Sequence, residues 1–464
     1  LEFITPPYAD MGDALGCMND IHRFVYANLD DELLWAASMP CKVAGDASVP
    51  LAEYGSSNVG TMKNVYRRGL GHRYGRLMQA IAGVHFNYSF PQELWPVLQT
   101  LLGNEEPLQH FVSDSYFALI RNFQRQGWLV PYLFGSSPVV CKSFLGRHPD
   151  GFQDLDGGSW YQPYATTLRM SDIGYKNNSQ ASLCISYDGV DAYIESLTRA
   201  IETPSPEFRT IGVEVDGEYR QLNDNILQIE NEYYSFIRPK RVAHSGEKPT
   251  VALAERGVEY VEVRALDVIA FEPSGFNEEQ MRFLEAFLVF CLMRESDPIS
   301  EQDRLDIAHN QEAVATRGRQ PGLALRRRGR DVGLREWAEE ICSGMGGICT
   351  LLDGGNSHGP YSQALERQRE GVADPERLPS ARMLAEMAAR DESFFQYAIR
   401  LSREHRDFFA NAHLSDTRRE QFEAEVSRSF AQQRDMEASD ELSFSEYLEN
   451  YFKQSATDSH KLTA

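Results

Sequence analysis

The sequence predicts an α+β protein, with helices gathered around one antiparallel-rich sheet. Two observations carry this. Strand-like segments fall in the first part of the chain, and after Gly275 the pattern turns almost wholly helical. No internal repeat or low-complexity linker is seen, and 464 residues are enough to bury a large core.

The elements follow in order. Residues 1–6, LEFITP, read as part of a strand. Without an initiator Met, the chain reads as an N-terminally truncated fragment. Residues 10–29 form an amphipathic helix, with Met11, Leu15, Met18, Ile21, Phe24 and Val25 near helical spacing. Residues 38–60 are loop-rich. A helix at 58–74 carries Lys63, Arg67, Arg68 and Arg73, and a strand follows at 83–90. Helices are expected at 91–102 and 106–126, a strand at 128–133, a turn at 135–138 and a Gly- and Asp-rich loop at 147–163. A helix at 188–201 ends at Thr203-Pro204-Ser205-Pro206. Strands are expected at 209–215, 225–229 and 258–264. The helix at 277–294 opens on a capping pattern at Asn277. Further helices are expected at 300–316, 331–343, 358–370, 380–389, 392–411 and 416–452. Residues 1–452 are read as one catalytic domain and 453–464 as a polar, disordered tail.

Bulk properties exclude some functions. The formal charge of −22 argues against general nucleic-acid binding. Seven cysteines without a CxxC suggest neither a disulfide framework nor a zinc site. No signal peptide or membrane span is visible, which suits a cytoplasmic enzyme. Gly69 to Gly75 only approaches a dinucleotide fingerprint, and no Walker motif is present. The basic run Arg326-Arg327-Arg328-Gly329-Arg330 reads as a solvated loop.

The residues that could carry chemistry sit on strands. In GVHFNYS, His85, Asn87 and Ser89 share one sheet face and could bind a metal or a phosphate. The preceding turn Gly55-Ser56-Ser57-Asn58-Val59-Gly60 offers backbone N–H groups to an anion. In residues 258–264, Tyr260, Glu262 and Arg264 share a face. Glu262 and Arg264 form either a plain ion pair or a divided site, one holding Mg²⁺ and the other a phosphate. Glu2, between two apolar neighbours, faces either solvent or a site. Arg169 presents a planar fork suited to carboxylate or phosphate.

Several segments together resemble the proteobacterial type of glutamate–cysteine ligase. They are residues 51–90, the run PYATTLRMSDIGY at 163–175, IENEYY at 229–234, IRPKR at 237–241 and GVEYVEVRALD at 257–267. The resemblance runs from Leu1 to about Phe452 and weakens after Gly318. It implies a glutamine-synthetase-like fold, a curved and largely antiparallel sheet with flanking helices and a helical C-terminal part. It implies the ATP-dependent joining of the L-glutamate γ-carboxylate to L-cysteine through a γ-glutamyl phosphate, the first step of glutathione synthesis. Glu2, His85 and Glu262 match metal ligands for Mg²⁺, with Mn²⁺ as an alternative ion. Arg169 and Arg264 match catalytic phosphoryl-contacting positions, and Asn87 and Arg264 are assigned to the nucleotide. Tyr66, Leu70, Gln79, Tyr175 and Tyr234 match the cysteine pocket, with Arg169 beside the substrate. A monomer without nucleic-acid or membrane partners is implied. The family's G-x-E-x-E strand, which carries further acidic ligands, is absent before Glu2, so the fragment alone is expected to be inactive. A ligase using another amine acceptor, or a non-catalytic homologue, are the alternative readings.

Overall fold

The structure is a computed structural model and describes residues 2–146, 148–174 and 183–455. Helices α1 (Met11–Asn28) and α2 (Asn58–Tyr74) lead into strand β1 (Val84–Tyr88). Helices α3 (Leu94–Leu101), α4 (Leu108–Gln126) and α5 (Leu129–Phe134) follow. A small sheet region holds β2 (Val139–Cys141), helix α6 (Lys142–Leu145), β3 (Gln153–Asp154) and β4 (Ser159–Tyr161). Then come α7 (Val190–Glu202), α8 (Pro206–Arg209), β5 (Glu214–Val215), β6 (Glu218–Tyr219), β7 (Ile237–Lys240), α9 (Pro249–Arg256) and β8 (Tyr260–Leu266). Beyond these the chain is helical, with one hairpin. The order is α10 (Glu278–Leu292), α11 (Glu301–Arg317), β9 (Ala324–Arg327), β10 (Arg330–Gly333), α12 (Leu334–Leu352) and α13 (Pro360–Ala373). It closes with α14 (Pro379–Arg390), α15 (Phe394–Ala410), α16 (Asp416–Ser439) and α17 (Phe444–Lys453).

The central sheet has the order β1–β8–β7, and both pairings are antiparallel. Its inner face carries Val261, Val263 and Ala265 into a core shared with Phe117, Ile120 and Phe123 of α4 and Phe283 and Phe287 of α10. Each such fully buried apolar side chain contributes about 1.5–3 kcal/mol. A second core joins Met39, Val139, Val140 and Leu168 to Tyr397 and Leu401 of α15. A third joins Met62 and Val65 of α2 to Leu448 and Tyr451 of α17.

Local signals explain most boundaries. Ser57 caps α2 by accepting from the Gly60 N–H, and Gly75, at φ +86°, ends it. Asn277 caps α10 through the Gln280 N–H. Ser300, Ser393 and Ser443 each complete a reciprocal cap at the start of α11, α15 and α17.

Several expectations are corrected. Described residues 2–8 form no strand, so Glu2 is not a strand residue, and it is exposed. Residues 129–134 are helix α5, because a continuous apolar run has no period and here is buried all round. The stretch 209–215 is mostly a turn, with strand only at its end, and 225–229 makes one bridge, Pro204 to Asn225. The expected loop at 147–163 contains β3 and β4, which pair with each other, and β4 also pairs with β2. The basic run is the turn of the β9–β10 hairpin, with Arg327 bound to Glu340. The last helix is broken between α16 and α17. Gln454, expected in a loose tail, bonds to Lys248 N and Gly246 O. No helix among the described residues is long and apolar enough to cross a membrane.

Candidate active site

Strand β8 is the middle strand, and its alternation builds the site. Val261 and Val263 point into the core, which leaves Tyr260, Glu262 and Arg264 on the opposite face. Residues opposite one another in an antiparallel pair share a face. Asn87 lies opposite Glu262 on one side, and Arg238 lies opposite it on the other. Lys240 faces Tyr260 in the same way. An irregularity in register between Val84 and Phe86 falls at His85. There the His85 Nδ1 lies 3.6 Å from Glu262 Oε1.

Charge on this face is unbalanced. Arg264 Nη1 donates to Glu262 Oε2 at 3.0 Å. Burial works to raise the Glu262 carboxyl, but Lys240, Arg264, Arg238 and His85 outweigh it and hold it at about 2. Burial, followed by the neighbouring Arg264, pulls His85 down to about 3, so its imidazole is neutral at pH 7. Burial also lowers Arg238 and Lys240, and Arg264 adds to both shifts. Three cations thus gather around one carboxylate. Among the described residues, the Nε atoms of Arg238 and Arg264 are buried without a hydrogen-bond partner. Buried donors in excess of acceptors suit an anionic ligand.

Arg169 reaches this face from a short turn at Leu168–Met170. Its Nη2 donates to the Arg264 carbonyl at 3.0 Å, and its Nη1 lies 3.6 Å from Asp267 Oδ1. Asp267 is fully buried and accepts from Ser136 N at 2.8 Å, Ser137 Oγ at 2.6 Å and Thr167 Oγ1 at 2.9 Å. Burial raises its pKa against the pull of Arg169 and these donors. A Cβ on Gly83 would overlap the Arg169 guanidinium, so the bare glycine leaves it room. Tyr234 donates to Met170 Sδ at 3.1 Å, which places it beside the same turn.

Helix α2 supplies Tyr66 and Leu70, both half-buried. Tyr66 packs against the third core, and its hydroxyl is close enough to Arg238 to raise that group's pKa. Gln79 has an internal partner, since its Nε2 donates to the Arg67 carbonyl at 3.0 Å. Tyr175 lies outside the described residues. Among the described residues no three His, Cys, Asp or Glu side chains converge as a metal cluster. His85 and Glu262 are together, whereas Glu2 does not complete a triad with them. The turn before α2 is also filled from within. Ser56 N donates to Glu437 Oε1 at 2.8 Å and Asn58 N to Asp440 Oδ2 at 2.5 Å, so the chain's own carboxylates take those anion-binding groups. A cleft of about 360 Å³ opens between α4, α11 and the β9–β10 hairpin, and shares no residue with this face.

Sequence reasoning missed Arg238, Lys240 and Asp267. The first two sit two apart in IRPKR, a signal of one shared face, but Pro239 between them obscures the strand.

The likeness to a solved ligase shows the fold to be that of a glutamine-synthetase-like ligase. The crystal structure of glutamate–cysteine ligase from Francisella tularensis in complex with AMP superposes with a TM-score of 0.90 at 36% identity. It covers 97% of this chain and 88% of that one. A bifunctional glutathione synthetase from Pasteurella multocida shares the fold alone, at TM-score 0.63 and 20% identity over 87% of this chain and 45% of that one. The family model for glutamate-cysteine ligase matches residues 1–314. Glutamate–cysteine ligases of Alcanivorax borkumensis and Pseudomonas paraeruginosa are 48% and 47% identical to this chain. Each match spans 97% of this chain, and 87% and 85% of those proteins. The chain belongs to the glutamate–cysteine ligase family.

Proposed function

We propose that the cationic face of the β1–β8–β7 sheet is where this ligase activates a carboxylate by phosphoryl transfer. The enzyme forms γ-glutamylcysteine from glutamate and cysteine with ATP, the first step of glutathione synthesis. The observation that carries the site is the gathering of Arg238, Lys240 and Arg264 around the carboxylate of Glu262, with two guanidinium Nε atoms unpartnered among the described residues.

A carboxylate is a poor acyl donor, because its leaving group would be oxide. Placing the ATP γ-phosphoryl on the glutamate γ-carboxylate makes an acyl phosphate with a good leaving group. The cysteine amine then attacks the carbonyl and expels phosphate. Both steps crowd negative charge, so fixed cations lower the barrier where that charge develops. Arg264 and Arg238 donate toward the phosphoryl oxygens, and Arg169, oriented by Asp267, contacts the glutamyl or phosphoryl group. Asn87, next to Glu262 across the sheet, lies on the nucleotide side. Tyr66, Leu70 and Tyr234 line the acceptor pocket, Gln79 supports the α2 backbone beneath it, and Tyr175 joins them on the sequence match.

The donor set fits two positions of a divalent-cation shell, a neutral imidazole and an ionised carboxylate side by side. His85 and Glu262 would hold Mg²⁺ or Mn²⁺, with water and phosphate oxygens filling the other positions. When bound, the ion offsets charge on the phosphate oxygens. Glu2 is left out of this set. Residues 1–452 are proposed to act as one catalytic unit, monomeric and cytoplasmic.

The test is a coupled ADP assay with each substrate omitted in turn, run on the complete protein as wild type and as Arg264→Ala. ADP should form only with glutamate, cysteine and divalent cation together. The variant should lose about 100-fold or more in kcat with its melting temperature little changed. A loss within about threefold, where a missing donor should cost about 100-fold, would reduce Arg264 to a structural ion-pair partner of Glu262.

A further inference from the structure

Seven free cysteines are spread through the fold, five of them buried, Cys41 half-buried and Cys184 exposed. Two of them meet. Cys41 lies in the segment between α1 and α2, and Cys141 is the last residue of β2. Cys41 packs against the buried core cluster that holds Cys141. Two donors reach the Cys141 sulfur, Lys42 N, the amide next to Cys41 in the chain, at 3.5 Å and Ser143 Oγ at 3.2 Å.

The approach is fixed by the fold. Val43 N donates to Ser143 Oγ at 3.2 Å and Ala36 N to Ser402 Oγ at 3.0 Å. Ser38, fully buried, accepts from Ala82 N at 2.9 Å and from Val268 N at 2.8 Å through its hydroxyl. The segment bearing Cys41 is therefore pinned on both sides. Its anchors adjoin Gly83 and Asp267, the two residues that place Arg169.

We propose that Cys41 and Cys141 are a redox-active dithiol, oxidised by a hydroperoxide to an intramolecular disulfide. Cys141 is the attacking group and Cys41 the resolving one. The Cys141 thiolate attacks the outer peroxide oxygen and breaks the O–O bond. This gives Cys141 sulfenic acid and, with one proton, an alcohol or water. The Cys41 thiol then attacks the sulfenic sulfur, forming the S–S bond and releasing water. Two thiols are oxidised and one peroxide is reduced. The neighbouring Cys41 is the largest influence on Cys141 and, against burial, pulls it down to about 5. The same pairing pushes the Cys41 thiol up, as expected for the proton-holding partner. Burial raises Cys342 to about 12 and Cys349 to about 11, which leaves them poor nucleophiles.

The test uses the full chain carrying Cys184→Ser, which removes the exposed competing thiol. It is treated with one equivalent of hydrogen peroxide, unfolded, alkylated and peptide-mapped. Two thiols should escape alkylation, one cross-linked peptide should hold Cys41 and Cys141, and dithiothreitol should restore both. Adding Cys41→Ser should leave dimedone on Cys141, and adding Cys141→Ser should leave no adduct at Cys41. The proposal is overturned if every thiol still alkylates after peroxide, if the cross-link joins another pair, or if dimedone bypasses Cys141. The map of the parent chain decides the question even where a double variant folds poorly.

Discussion

Gly83 has no Cβ, and the Arg169 guanidinium occupies the space one would fill. The glycine's backbone is not in the left-handed region, so a substitution there acts through volume alone. Gly83→Ala should push Arg169 off the line set by Asp267 and the Arg264 carbonyl. A displacement of about 1 Å in a positioning group costs on the order of 100-fold in rate. Steady-state kinetics should show kcat falling toward that figure, and thermal melting should show little change. An unaltered kcat would mean that Arg169 does not need its present place. The alternation of Glu262 and Arg264 was legible in the sequence, as was the shared face of His85 and Asn87, because a strand's period is two. Asp267 was not. It works through Arg169, and its donors Ser136, Ser137 and Thr167 come from segments far away in sequence.

Elements with a local stop and start were legible for the same kind of reason. Helix α2 runs over the residues its sequence predicts, between the Ser57 cap and Gly75. The α5 region was not, because burial on all sides erases periodicity. The packing of α1 on α15 carries a prediction that only the structure supports. The His22 ring stacks on Phe409 at 4.8 Å and meets Phe3 edge-on at 4.8 Å. His405, also buried, is pulled down to about 4 by burial, with Glu404 opposing and His22 adding to the shift. Burial likewise lowers His22, against its bond to the Met18 carbonyl. The unfolded His405 takes its proton near pH 6.5 and the folded one only near 4, so between these values the unfolded state holds more protons. Stability is therefore full above about pH 6.5 and falls as the pH drops toward 4. A single such shift is worth on the order of 3 kcal/mol. Denaturant titrations of wild type and His405→Gln between pH 7 and pH 4, a range spanning the two titrations, should show a shallower pH dependence in the variant. Parallel curves would rule out His405 as a source of the acid sensitivity.

At the scale of the whole molecule, a chain of net charge −22 keeps a cationic face at its central sheet. Net charge therefore does not decide local ligand chemistry. The helix bordering that face is held from the far end of the chain. Leu448 and Tyr451 of α17 pack on Met62 and Val65 of α2, with Tyr66 at the edge of the same cluster. Lys248 Nζ donates to the carbonyls of Phe452 and Gln454 at 3.0 and 3.1 Å, which ties α17 to the start of α9. By contrast α16, which leads to α17, buries no residue and is held by surface contacts, Arg418 to Asp20 at 3.0 Å and the Ser56 N–H to Glu437 at 2.8 Å. Leu448→Ala should cost about 2–5 kcal/mol of stability, the usual range for emptying a buried leucine site. It should also loosen α2 beneath the proposed acceptor pocket, which raises KM for cysteine while leaving KM for ATP near the wild-type value. The check is a denaturant midpoint together with KM for each substrate. A stability loss with both KM values unchanged would separate the C-terminal helix from the pocket and leave it a structural clamp. An equal rise in both would place its influence on the sheet and not on α2.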